Sequence, residues 1–320
     1  MPEIRRVFMV LSPRLLPYAR LALASLLRNA GEPLDLRLIT DSAEDKAALI
    51  EALPSIPNPA EHVVAVVDKA ECDERAAHQY RGRPDLLEFR DGHPCWRKIT
   101  DPPLFSGDGQ EMIILDPDVY FPNQFTFEPT PAHGLLMMWQ PACCLYPPET
   151  VLDAIDQGTP LVDHVDFGAT QIRAPLDAEF VDEFVRQLRR NRPWPYIAHV
   201  EAIVWAALAS RIGGGHLDPS TWKCYVYTPV RRVLFRMKAP PQRLLRGERM
   251  AWLKMFHAGG NAKDFLVEAQ EAGLLDGDRT LTEPTPIRPY EPLVRWQFVL
   301  EHSAKAALKK VGGAILALRD

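Results

Sequence analysis

No glycine-rich phosphate loop follows the first strand-like segment of this chain. Where a dinucleotide-binding fold carries G-x-G-x-x-G, the sequence reads Leu11-Ser12-Pro13-Arg14. This argues against a NAD-linked dehydrogenase and weakens a nucleotidyltransferase or phosphotransferase reading. Long apolar runs are also missing. The most apolar internal stretch, Ala202 to Ala209, is too short to cross a bilayer. The run Val7–Leu11 follows Arg5 and Arg6 but is soon broken by Pro13, Arg14 and Pro17, so it is no secretory signal. The expected location is cytoplasmic, at most at the inner face of the membrane. Cysteine is scarce: five in 320 residues, an odd number, form no disulfide framework and are expected reduced. Cys143 and Cys144 read as packing, and Cys72, His78, His93 and Cys95 lack a short-loop zinc spacing. There is no basic excess either. A net charge of −5 argues against a nucleic-acid partner while leaving room for a few clustered cations. Proline is plentiful but scattered, as loop punctuation rather than a PxxP stalk, and no solenoid-spaced repeat appears.

What is present is an alternation of strand and helix patterns. Val7–Leu11 reads as a buried strand, Tyr18–Asn29 as a helix stopped near Gly31, and Asp35–Thr40 as a strand. A helix over Glu44–Leu53 and a strand over His62–Val67 follow. Short connections between such elements predict a Rossmann-like parallel sheet covered by helices. Residues 68–110, rich in charge and turn formers, are expected to form one helix and a long loop. Further strands are expected at Glu111–Leu115, Gly134–Trp139 and Val165–Ile172, and near 223–227 and 252–256. Helices are expected near 178–190, 199–211 and 297–311, the last with a basic side of Lys305, Lys309 and Lys310 that packs on the body or touches a membrane surface.

Two carboxylates, Asp116 and Asp118, straddle Pro117 at the end of the apolar run Ile113-Ile114-Leu115. Charge at the tip of a buried strand must be paired or must hold a cation, and strand tips are where open α/β folds bind ligands. A divalent ion bridging both to a diphosphate would meet hard oxygen on both sides. An exposed turn or cap is the alternative for the bare tripeptide. The remote segment His257-Ala258-Gly259-Gly260-Asn261-Ala262-Lys263 offers what the pair lacks. His257 can supply an imidazole, which favours Mn²⁺ while leaving Mg²⁺ open. Gly259 and Gly260 allow close backbone approach, and Lys263 supplies a cation to the outer phosphate.

With these motifs in view, the chain resembles the GT-A-fold glycosyltransferases, most nearly glycosyltransferase family 8. The carriers are Leu115-Asp116-Pro117-Asp118 and the H-x-x-G-x-x-K segment from His257 to Lys263. The resemblance implies a GT-A-type Rossmann-like mixed sheet flanked by helices in one continuous catalytic domain over residues 1–268. Its nucleotide half would span about 1–120 and its acceptor half 121–268, with 269–320 as a C-terminal extension. It implies Mn²⁺ on Asp116, Asp118 and His257, and Gly260 and Lys263 against the diphosphate of a UDP-sugar. Arg97 or Lys98 matches the family's basic residue ahead of the metal strand. Asp166-Phe167-Gly168-Ala169 stands where the family faces the donor sugar, and Glu201 is the carboxylate left where an Asp-Gln pair is usual. Ser12-Pro13-Arg14 replaces the usual acidic base contact.

The expected activity is therefore transfer of a sugar to a saccharide, lipid or protein hydroxyl, with retention as the family implies. Asp166 and Glu201 are the candidate catalytic carboxylates, although Glu201 could simply favour a helix N-terminus. Trp96, Trp194, Tyr196, Trp222 and Tyr225 could build an acceptor platform or pack in the core. His164 and His199 are further candidates. A nucleotidyltransferase and a non-catalytic nucleotide-sugar-binding protein remain the alternatives.

Overall fold

A computed structural model describes residues 4–304 of the chain. It opens with β1 (Arg5–Val10), α1 (Leu16–Asn29), β2 (Leu34–Ile39), α2 (Ala43–Ala52) and β3 (Val63–Val67). Apolar side chains on both faces of β1 and β2 require cover on both sides, which a parallel pair flanked by helices provides. The helix starts are fixed locally. Ser42 accepts from Asp45 N at 3.1 Å at the head of α2, and α3 (Lys69–Gln79) begins with a reciprocal Asp68–Glu71 capping box.

Residues 68–110 differ from the expected helix and long loop. They form α3, α4 (Pro84–Arg90), α5 (Arg97–Thr100) and two short 3-10 turns, Pro94–Trp96 and Pro102–Phe105. The charge that suggested a loop is partly internal: buried Arg90 pairs with Asp101 at 2.6 Å and Asp73 at 2.5 Å. Phe89 and Trp96 stack beneath these helices, ring centroids 4.7 Å apart.

The rest supplies β4 (Glu111–Leu115), β5 (Val119–Tyr120), β6 (Gln124–Phe125), β7 (Leu135–Trp139), α6 (Pro148–Asp156), β8 (Val165–Arg173), α7 (Ala178–Arg189), α8 (Val200–Ile212), β9 (Gly214–His216), β10 (Trp222–Cys224), α9 (Pro229–Arg236), β11 (Met255–His257) and β12 (Thr280–Leu281). The main sheet runs β3-β2-β1-β4-β8-β7-β10-β11-β5, with β9 beside β7. β3, β2, β1 and β4 are parallel; β8 is antiparallel to β4 and β7, and β5 to β11. The sheet is thus mixed. The chain runs outward from β1 through β2 to β3 and returns to β4 on the other side of β1. This reversal opens a crevice at the carboxyl ends of β1 and β4. The apolar stretch at Ala202–Ala209 is the buried α8, covering this sheet. No helix among the described residues is long and apolar enough to cross a membrane.

One buried ion pair joins segments far apart in the sequence. Lys254 Nζ lies 2.9 Å from Glu128 Oε1, with both side chains essentially inaccessible. Glu128 also accepts from Trp222 Nε1 at 2.8 Å and from Thr285 N and Oγ1 at 2.7 Å. Trp222 is therefore core rather than acceptor platform. The segment beyond 268 is stitched on at several points: β12 pairs with β6, and Arg288 exchanges backbone bonds with His216. Residues 295–304 are helical, with Phe298 buried. Lys305, Lys309 and Lys310 lie outside the described residues.

Two predictions follow from burial. Glu128→Gln keeps the volume but strands the Lys254 ammonium. It should lower the unfolding free energy by about 3–5 kcal/mol in urea denaturation, and adding Lys254→Met should recover part of the loss. His216 is fully buried beside Tyr290, and burial pushes its pKa down from 6.5 to about 4. The unfolded chain binds this proton first, so the contribution is intact above pH 6.5 and is lost as pH falls toward 4. Urea midpoints measured at pH 7 and pH 5 should drop more for the native chain than for His216→Leu.

Candidate active site

The crevice is a cavity of about 510 Å³. Its floor is the tip of β4, where the strand ends because Pro117 donates no hydrogen bond. Asp116 is still held to the sheet, its N–H donating to Gly168 O at 3.1 Å. Asp118 follows at the start of β5, which pairs with β11 and so brings His257 opposite Val119. Ala258 N donates to Asp118 O at 2.9 Å and fixes the two motifs to each other. Residues far apart in sequence thus converge because one short strand pairs with another.

The side chains meet on this floor. His257 Nε2 lies 3.3 Å from Asp118 Oδ1 and 3.7 Å from Asp116 Oδ2. Ligand atoms of the three residues all fall within 4.8 Å of one another. On its other nitrogen, His257 Nδ1 is 2.8 Å from Asp166 Oδ1. Burial alone would strip a proton from this imidazole, but Asp166 and then Asp118 outweigh it and hold the pKa well above its usual value. Asp166 also accepts from Gly168 N at 3.1 Å. It therefore orients the imidazole from behind, a placement beyond what the sequence suggested for it. Gly168 is needed for close approach: a Cβ there would come within 2.5 Å of the His257 ring.

A second group of potential ligands, Asp166, Cys224 and His257, shares the imidazole. Burial and the neighbouring Asp166 push the Cys224 thiol up to about 12, so it remains protonated and a poor ligand. The Asp116, Asp118 and His257 set has the better donor chemistry: two carboxylates and an imidazole supported through its far nitrogen suit Mn²⁺. The candidate ligand groups among the described residues include none of Cys72, His78, His93 and Cys95.

Lys98, on α5, is buried between two acids, its Nζ 2.6 Å from both Asp116 Oδ1 and Glu201 Oε1. Burial opposes its charge, but Asp116 and Glu201 together hold the ammonium well above the ordinary lysine range. Glu201, in the first turn of α8, is pushed by burial up to about 8 despite Lys98. Its Oε2 has no hydrogen-bond partner. Arg97 is placed differently from Lys98. It donates to Thr40 O at 3.2 Å and pairs with Asp41 just past β2.

On the other wall, Gly260 adopts φ +64°, a left-handed conformation that favours glycine. Lys263 follows in the 3-10 turn Gly260–Phe265, its Nζ 5.4 Å from the Tyr18 ring centre. Tyr227 donates to Gly259 O at 3.0 Å. Arg14, Tyr18, His199 and Tyr225 complete much of the lining. Of the other aromatics, Trp96 is core, Trp194 packs edge-on against Phe89, and Tyr196 is exposed near His93. His164 bonds Gln140 O at 3.0 Å instead. Tyr18, Tyr227 and Gln140 also line the cavity without belonging to any readable motif. The signal for Tyr18 is its place in the first turn of α1, the helix that follows β1.

This architecture is the GT-A-type fold, a mixed sheet flanked by helices with its crevice at the β1–β4 reversal. The mouse xyloside xylosyltransferase 1 apo structure is similar at a TM-score of 0.54 and 15% identity, covering 82% of this chain and 99% of that one. The galactosyltransferase LgtC, solved with donor and acceptor sugar analogs, is similar at 0.50 and 13% identity, covering 85% and 95%. No protein-family profile and no curated protein matches the sequence.

Gly168→Ala should press on the His257 ring and cost about 1–3 kcal/mol by overpacking. Gly107→Ala, where the new methyl meets Gln110 only at ordinary contact distance, should stay within about 0.5 kcal/mol in the same urea titration.

Proposed function

We propose that the protein is a metal-dependent glycosyltransferase that moves a sugar from a nucleotide-diphosphate donor to an acceptor hydroxyl with retention. The observation that carries this reading is the convergence of Asp116, Asp118 and His257 on the floor of the crevice. Both the crevice and the fold suit the task. We assign catalysis to residues 1–268, with the donor bound by the half up to about 120.

Asp116, Asp118 and His257 would hold Mn²⁺, which when bound supplies Lewis-acid stabilisation of the departing diphosphate. Gly260 and Lys263 bind the diphosphate from the opposite wall, the glycine by close backbone approach and the lysine by charge. Arg14 and Tyr18, beside the β1 tip, face the nucleotide end. Lys98 keeps Asp116 and Glu201 ordered and offsets their charge. Glu201, with one oxygen on Lys98, presents a carboxyl to the sugar or the acceptor hydroxyl. Asp166 acts by fixing the imidazole. Holding the acceptor against the donor carbon removes much of the entropic barrier to transfer. The donor favoured by the resemblance is a UDP-sugar.

Calorimetry with a nucleoside diphosphate should show tighter binding when Mn²⁺ is present. Asp118→Ala or His257→Ala should erase that gain, and Asp166→Ala should weaken Mn²⁺ binding about 10–100-fold through the unsupported imidazole. Metal-independent binding unchanged by all three substitutions would refute the site. A donor panel read by nucleotide release and product mass, with the anomeric configuration taken from NMR, tests transfer and retention. Glu201→Gln should lower turnover with little change in diphosphate affinity.

A further inference from the structure

A second feature lies outside the crevice, in residues 229–249. α9 is set by Thr228, which accepts from Arg231 N at 3.2 Å as its N-cap, and by Pro229 in the first turn. Leu234 and Phe235 turn inward and pack on the core beneath the crevice wall. The opposite stripe is also apolar and uncovered: Val230 is 68%, Val233 54% and Met237 71% exposed. Their spacing of three and four puts them on one side of the helix. Beside them stand Arg232, Arg236 and Lys238, followed by Arg243, Arg246 and Arg249, all exposed. None of these six forms an ion pair among the described residues. The only acid in the segment, Glu248, is taken by Lys223 at 2.6 Å and Arg231 at 2.5 Å. Seven basic residues and one acid thus share this short segment, in a chain whose net charge is −5.

We infer that residues 229–249 form a docking surface for an anionic phospholipid membrane. Exposed apolar side chains cost free energy in water and like-charged cations crowded into one segment repel one another, and an anionic bilayer interface relieves both. Anionic headgroups meet the arginines while Val230, Val233 and Met237 enter the acyl boundary. A nucleic acid or an acidic protein would use the cations but leave the apolar stripe without a role. These residues are distinct in sequence from Lys305, Lys309 and Lys310, which lie outside the described residues. It also adjoins the crevice, because Thr228 follows Tyr227, whose hydroxyl binds Gly259 O. Docking brings the crevice mouth toward the headgroups and so favours a lipid-linked acceptor. That consequence rests on the transferase reading; the docking does not.

The test is sedimentation of the full chain with vesicles of phosphatidylcholine alone and of equal parts phosphatidylcholine and phosphatidylglycerol. Binding is expected only to the anionic vesicles, falling steeply with salt. The triple change R232E/R236E/K238E should weaken it by more than about a hundredfold, at roughly fivefold for each charge removed. V230S/V233S/M237S should leave low-salt binding largely intact and abolish what persists at high salt. Both variants should bind nucleoside diphosphate as the native chain does, because the changed residues lie outside the crevice. No binding to anionic vesicles overturns the inference. So does binding that neither variant alters, which would place the contact on another surface, and so does capture by RNA with vesicles left free. A failed transferase assay with intact vesicle binding would count against the activity alone.

Discussion

Two basic side chains clamped among four acidic ones are the constraint around which the crevice is built. Lys98 sits between Asp116 and Glu201, and His257 sits between Asp118 and Asp166. Each of these charges is expensive to bury alone, and each becomes tolerable because of the next. The network also fixes geometry. α5, the β4 tip, β8, α8 and β11 each contribute a member, so five separate elements must arrive in register before the charges are compensated. The transfer proposed above calls for such fixed geometry, because it needs two bound partners held in place.

The sheet makes that register possible. The reversal from β3 back to β4 leaves a gap above the carboxyl ends of β1 and β4, and the antiparallel β5–β11 pair folds the second motif over it. Farther from the crevice, Glu128 and Lys254 perform a similar task for the frame. They bind Trp222 and the late segment at Thr285 to the same buried point. The two charged centres lie near opposite ends of β10 and β11. Those strands are short, with three residues each. Their placement depends on what is anchored at both ends.

The charge distribution outside the core is uneven in a related way. Most basic residues of the body are spent in ion pairs, such as Arg5 with Glu111 and Glu32, or Arg189 with Asp85. Residues 229–249 leave six of their seven cations outside ion pairs among the described residues, with an apolar stripe exposed. Apolar exposure and an excess of unpaired cations within one short segment suit a partner with both characters.

Several features were legible in the chain itself. The first three strands and their helices follow from apolar periodicity and capping residues, because local sequence dictates hydrogen-bonding and burial there. Asp116-Pro117-Asp118 and His257 to Lys263 stand out because charge and glycine at strand tips need a reason. The run 68–110 was misjudged because its charges, such as Arg90 and Asp101, are compensated inside the fold by partners that periodicity cannot reveal. Trp96 and Trp222 looked available for stacking, and only packing shows them buried. Arg97 and Lys98 are adjacent in sequence and equivalent in type, yet the turn of α5 sends one to Asp41 and the other to Asp116 and Glu201. Asp166 reads as a carboxylate near the sugar, and strand pairing adds what the sequence leaves out: a contact with the His257 imidazole on the wall of the same cavity. The sequence by itself singled out the groups proposed to carry the chemistry. Only the tertiary structure decided which of them meet, because ion pairing and strand register join residues that local propensity leaves independent.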